Sequence, residues 1–165
     1  MKILHVSNNR SIDVEIVISD KLDVPSKNDG WSFNWQELNG EPYTKTYALK
    51  TKGKASSIEG MLHLKITHGM QVMDIIEIAP HNIGSQNKKY DFVAGSLIAF
   101  ACRESFKLEN EYKGYLTFVS KSKLIEWYID KYGAKQAVGR KMFIEPEMSI
   151  KLIDKYLNNK SEYHE

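Results

Sequence analysis

The sequence has one cysteine, four prolines and no long apolar run, and each shortage excludes something. Cys102 alone cannot form an internal disulfide, so packing must hold the fold. The opening MKILHVSNNR is too short an apolar run for a signal peptide or a spanning helix, which predicts a cytoplasmic protein without membrane contact. Charge of either sign is not in excess: 23 basic against 21 acidic residues leave +2, too weak a field to draw nucleic acid by itself. The five histidines, His5, His63, His68, His81 and His164, lack metal-ligand spacing and have no second cysteine beside them, so no metal is expected. Cys102 shares an apolar helical stripe with Leu97, Ile98 and Ala101. There a thiol behaves as a small hydrophobe rather than a nucleophile.

What the chain does have is a core. At 165 residues, 42% hydrophobic and 27% charged, it suits one domain over 1–165. Ile12, Val14, Ile16 and Ile18 alternate with Asp13 and Glu15, as in a strand with one wet face. Asp20 to Gly40 is an interrupted, aromatic stretch of loop and short helix, whose Trp31, Phe33 and Trp35 either plug the core or wall an acceptor pocket. Strands over 44–51 and 57–68 make a hairpin across Lys52-Gly53-Lys54, and Gly69 turns the chain into a strand over 71–79. In that strand Val72, Ile76 and Ile78 point to one side and Met73 and Ile75 to the other, the pattern of a central strand covered on both faces. Pro80 ends it, and a helix begins near Val93. A strand over 112–119 follows, then a helix capped by Ser120 or Ser122 and ended by Gly133. A single last strand over 136–145 and a helix opened by Pro146 complete the described pattern, and the polar tail after Asn158 is expected to fray. The expected class is α/β (α+β): a mostly antiparallel sheet with one parallel right-handed βαβ crossover and flanking helices.

The junction from Asp74 to Phe106 looks like the functional centre. Val93, Ala94, Gly95 and Ser96 open a helix whose first amides have no partner within it, and Lys88 and Lys89 lie just before. Free amides, the helix dipole and two cations together favour phosphate. The competing reading is that Ala94 and Gly95 only allow close packing and that the lysines are a solvated loop.

Lys89-Tyr90-Asp91-Phe92-Val93-Ala94 resembles the pyrophosphate loop of the GNAT superfamily of N-acetyltransferases, which reads Gln or Arg, two residues, Gly, one residue, then Gly or Ala. Ile78-Ala79-Pro80 resembles the family's hydrophobic-x-Pro strand end. Leu124 to Ala134 is similar to its aromatic-Tyr-Glu-Lys-Leu-Gly-Phe helix. Phe92 in place of the first glycine and Lys121 in place of a helix-opening Asn are departures. The resemblance implies acetyl-CoA as cosubstrate, its pyrophosphate on the amides of Val93, Ala94, Gly95 and Ser96 beside Lys88 and Lys89, and its pantetheine along the strand edge near Ile78. It also implies that Tyr128 protonates the departing thiolate. By periodicity alone Tyr128 is a core aromatic.

Acyl transfer to an amine also needs a base. In open α/β sheets the site lies off the carboxyl ends of parallel strands, which gathers Glu77, Ala79 and the helix start near Val93. Glu77, the carboxylate in the latter half of the central strand, is the base expected here, with Asp74 in reserve. A salt bridge to a neighbouring lysine is the structural alternative for Glu77. The implied activity is acetyl transfer to a primary amine of a small molecule, a peptide or protein, or an aminoacyl-tRNA, with a homodimer left open. The alternatives are a catalytically weak GNAT-derived CoA-binding or interaction module and, resting only on Lys50 to Lys54, Lys88 to Lys89 and Lys121 to Lys123, a nucleic-acid-binding domain.

Overall fold

The computed structural model describes residues 1–20 and 23–158; the tail expected to fray, His164 within it, and part of the stretch from Asp20 to Gly40 lie outside them. Among the described residues nine strands form one sheet in the order β6-β1-β2-β3-β4-β5-β7-β9-β8. β2 (Arg10–Ile18), β3 (Thr44–Thr51), β4 (Ile58–Thr67) and β5 (Met70–Ile78) are antiparallel neighbours, and β5 pairs in parallel with β7 (Leu116–Val119) across helix α2 (Val93–Ser105). This is the mixed sheet with one parallel crossover that the hydrophobic pattern predicts. Among the described residues no helix is long and apolar enough to cross a membrane.

The core has two parts because the sheet is covered on both faces. The larger joins Leu62, Leu64, Leu116 and Ile144 of the sheet to Leu97 and Ile98 of α2, Tyr128 and Tyr132 of α3 (Ile125–Tyr132), and Leu152 and Tyr156 of α4 (Pro146–Tyr156). The smaller packs Trp31 and Trp35, the latter opening the short α1 (Trp35–Leu38), on Ala48, Met61 and Ala79. So Trp31 and Trp35 plug a core. Cys102 is buried, its thiol pushed up to about 12 by burial, with a Ser149 hydrogen bond pulling the other way, as a hydrophobe-like cysteine should be.

Several boundaries move for identifiable reasons. Between His63 and Leu64 the β4–β5 register slips: His63 faces Ile75 but Leu64 faces Met73, so Asp74 is an extra, bulged residue. The bulge reverses the alternation, and Met73 joins Ile76 and Ile78 in the larger core instead of sharing a face with Ile75. The strand expected from Tyr112 begins at Leu116, because Gly114 at φ 86° closes a turn in which the Tyr115 amide donates to the Tyr112 carbonyl. The single last strand is a hairpin of β8 (Lys135–Gln136) and β9 (Lys141–Ile144), turned at Gly139 with φ 62°, and Val138 is exposed. Neither serine caps α3: the Ser120 hydroxyl donates to the Lys121 carbonyl, and a 3-10 turn over Ser122–Leu124 leads in. Gly133 does end α3, left-handed at φ 64°. Two further short strands complete the sheet: β1 (Lys2–His5) and β6 (Tyr90–Asp91), which pair with each other and tie the approach to α2 to the sheet.

Candidate active site

Three local devices shape one end of the sheet. Parallel pairing of β5 with β7 stops after Gln71↔Leu116 and Val72↔Thr117, so from the Asp74 bulge onward the two strands part and open a gap towards their carboxyl ends. The chain leaving β5 is then fixed by Glu59 of β4, which is fully buried. Its Oε2 lies 2.5 Å from His81 Nε2 and accepts from Asn82 Nδ2 at 2.8 Å, and its Oε1 accepts from the Ser57 hydroxyl at 2.6 Å. Asn82 in turn accepts the Tyr90 amide at 2.9 Å, and the Lys89 amide donates to the His81 carbonyl at 2.8 Å. A buried carboxylate thus spans the turn between the central strand and α2.

Third, α2 starts on Phe92 in the left-handed conformation, φ 73°, with no side-chain cap. A non-glycine residue there costs of order 1 kcal/mol, held by the surrounding packing. The amides of Val93, Ala94 and Gly95 lie ahead of the first helical bond, which the Ser96 amide makes to the Phe92 carbonyl at 3.0 Å. They border a cavity of about 300 Å³ that Ile78, Lys88, Lys131, Tyr132 and Tyr156 also line. Lys88 is paired with Asp91 at 3.3 Å, while Lys131 from α3 lies over Trp127.

No family model and no curated protein sequence matches the chain. Solved structures match its shape. The KacTA–DNA complex aligns over 87% of this chain and 99% of that one, with a TM-score of 0.62 at 14% identity. AtaTR bound with AcCoA aligns over 86% and 98%, with a TM-score of 0.61 at 12% identity. A chimera of the spermidine N-acetyltransferase SpeG from Vibrio cholerae and hSSAT aligns over 83% and 98%, with a TM-score of 0.56 at 14% identity. The fold is that of the GNAT N-acetyltransferases.

Of the residues expected to hold a coenzyme, Ile78, Lys88, Val93, Ala94 and Gly95 line the cavity, and Phe92 has a left-handed backbone that glycine adopts readily. The other expected coenzyme contacts fall elsewhere. Lys89 sits over the Tyr90 ring, Ala79 is buried against Trp31 and Trp35, and Ser96 is fully buried with its amide already used. Gly95 has a packing duty too: a Cβ there would lie 2.3 Å from the Tyr156 ring, so its substitution would displace α4 as well as any ligand. Lys131, Tyr132 and Tyr156 were not singled out for the site by sequence, because they arrive from helices that follow β7.

Neither expected catalytic side chain lines the cavity. Tyr128 packs on Phe118 of β7, ring centroids 4.7 Å apart, at the strand that borders the gap. It stands five residues before Gly133, whereas the GNAT signature has its Tyr four before its Gly; the extra residue rotates it by about 100° around the helix. Tyr132, one turn on, faces the cavity, and its phenol is raised above the ordinary value first by burial and then by the neighbouring Tyr156, Tyr128 and Asp91.

Glu77 is occupied. Its carboxylate accepts the Ser32 amide at 2.6 Å, the Phe33 amide at 3.3 Å and Trp35 Nε1 at 2.8 Å, so it anchors the loop that plugs the second core. Glu77→Gln, which turns an amide NH2 towards N–H donors, is expected to lower unfolding free energy by about 1 to 3 kcal/mol in urea titrations. It should leave the acidic limb of any pH–rate profile in place. Loss of that limb at unchanged stability would restore Glu77 as the base.

Proposed function

We propose that this chain is an acetyl-CoA-dependent N-acetyltransferase acting on a primary amine. The observation that carries the reading is the cavity at the start of α2, where three amides without helical acceptors meet two lysines beside a gap between parallel strands. Pyrophosphate suits this cavity, since the helix dipole, the amides, Lys88 and Lys131 all favour an anion there. Pantetheine would follow the edge of β5 from Ile78 towards the bulge, where β7 leaves backbone groups of β5 without a strand partner on that side.

In this reading the acceptor ammonium loses a proton to a carboxylate, and its nitrogen attacks the thioester carbonyl. The carbon–sulfur bond breaks, and the departing thiolate takes a proton from a phenol. Asp74 replaces Glu77 as the proton acceptor, because the bulge sets it where β5 and β7 begin to part and its side chain is partly exposed, with Lys65 at 2.9 Å. Tyr128, packed on Phe118 of the strand that borders the gap, is the proposed proton donor, and Tyr132 on the cavity wall is its alternative. The fold-level likeness to an AcCoA complex and a spermidine N-acetyltransferase supports the reaction class and leaves small amines, peptide or protein amines and charged tRNA all open as acceptors.

Calorimetry with CoA tests the coenzyme site. Lys88→Ala and Lys131→Ala are each expected to weaken binding roughly three- to tenfold, and together by about ten- to a hundredfold, with melting temperature unchanged. Thiol release from acetyl-CoA on incubation with an amine library, with mass-spectrometric detection, then tests turnover and names the acceptor. Parental CoA affinity in the double variant would move the phosphate site elsewhere, and binding without release of thiol would leave a CoA-binding module.

A further inference from the structure

The sheet face that carries Trp35 holds a second cluster, built from three elements. Glu41 follows α1, His63 lies in the middle of β4, and Asp74 is the bulged residue of β5. Each turns one donor atom inward, and the three atoms lie within 4.8 Å of one another. His63 Nε2 is 3.2 Å from Glu41 Oε2 and 4.0 Å from Asp74 Oδ2.

His63 is fully buried and its Nδ1 lies 2.9 Å from the Thr46 hydroxyl, so the ring is fixed with Nε2 aimed at both carboxylates. A ligating imidazole is held by a hydrogen bond at its other ring nitrogen, and here the Thr46 hydroxyl supplies that partner. One N–H on Nε2 points along one direction and serves one carboxylate, whereas a cation at the centre serves both. Lys65 meets Asp74 at Oδ1, 2.9 Å away, while Oδ2 lies 4.0 Å from His63 Nε2. Ligand distances of about 2.0 to 2.2 Å put tetrahedral donors roughly 3.4 Å apart. The His63–Glu41 pair already has that spacing, and the wider pairs reach it after a contraction of up to about 1.4 Å. Entry is open, because Glu41 and Asp74 side chains are 48% and 28% exposed.

We propose that Glu41, His63 and Asp74 form a binding site for a divalent transition-metal ion of the zinc and cobalt class. One imidazole and two carboxylates suit that class better than magnesium or calcium, which prefer oxygen alone. Three protein ligands leave a fourth position for water. The absence of local spacing among the histidines is what hides this site in the sequence, since its ligands are eleven or more residues apart and meet only through the sheet register.

The test is titration of the metal-free protein with Co²⁺, followed by visible absorption, and with Zn²⁺, followed by calorimetry. One equivalent should bind with the appearance of d–d bands, and His63→Gln and Glu41→Gln should each weaken binding at least about tenfold. His81→Ala, which removes the half-exposed imidazole of the other His–Glu pair, should bind as the parent does. Because His63 is buried and its variant could misfold, the exposed Glu41→Gln decides: unchanged affinity in that variant, or no one-to-one binding by the parent, overturns the proposal. Neither readout uses acetyl-CoA, so failure here leaves the acetyl-transfer reading intact, and a protein without transferase activity leaves this one intact.

Discussion

Glu59→Ala is expected to lower the free energy of unfolding by about 3 to 5 kcal/mol, the range for breaking a buried charged network. Folded domains hold only some 5 to 15 kcal/mol in all, so roughly ten degrees of melting temperature should go with it. The reason is burial with partners. The Glu59 side chain is fully buried and accepts from Ser57 and Asn82 while facing His81, and Asn82 carries the constraint on to the Tyr90 amide. Removing the carboxylate orphans those groups and frees the chain between Pro80 and Phe92. CoA affinity should therefore fall together with stability, although Glu59 lies outside the cavity lining. Urea unfolding and CoA calorimetry on the same variant check both halves. A loss below about 1 kcal/mol would show that the network is not what holds the turn.

That network marks the limit of what the sequence could show. The long elements were legible because their signals are local: alternation over Thr44 to Thr51, the stripe through Leu97, Ile98 and Ala101, a left-handed Gly133 and a helix-opening Pro146. The bulge at Asp74 was not, since it exists only as a slip against β4, and that slip alone decides which core Met73 enters. The start of α2 at Val93 was legible, and with it the part of the cavity made by Lys88, Val93, Ala94 and Gly95. Its far wall was not, because Lys131, Tyr132 and Tyr156 arrive from other helices. Glu77 shows the same limit from the other side: a lone carboxylate in a strand suggested chemistry, but its three donors come from residues 42 to 45 positions earlier in the chain. Phe92 conceals a glycine-like backbone behind an aromatic side chain, which no propensity argument would expect.

Tyr128→Phe is expected to lower acetyl-transfer turnover roughly ten- to a thousandfold, the range for removing a general acid, with CoA affinity and melting temperature little changed. Phe keeps the ring on Phe118 and removes only the hydroxyl. Burial raises the Tyr128 phenol above its ordinary 10.0, so the donor form persists through neutral and mildly alkaline solution. No basic limb below about pH 9 should come from it. A thiol leaves as a partly stable anion, which is why the effect is bounded rather than total. Tyr132→Phe is the informative partner, since Tyr132 lines the cavity, and it should change CoA binding more than turnover. A Tyr128 that is only a core aromatic behaves differently: Phe is neutral in every assay, and Tyr128→Ala alone does harm, through a cavity costing about 3 to 5 kcal/mol. Parental turnover in Tyr128→Phe beside a slow Tyr132→Phe would transfer the proton to Tyr132, one helical turn nearer the phosphate cavity.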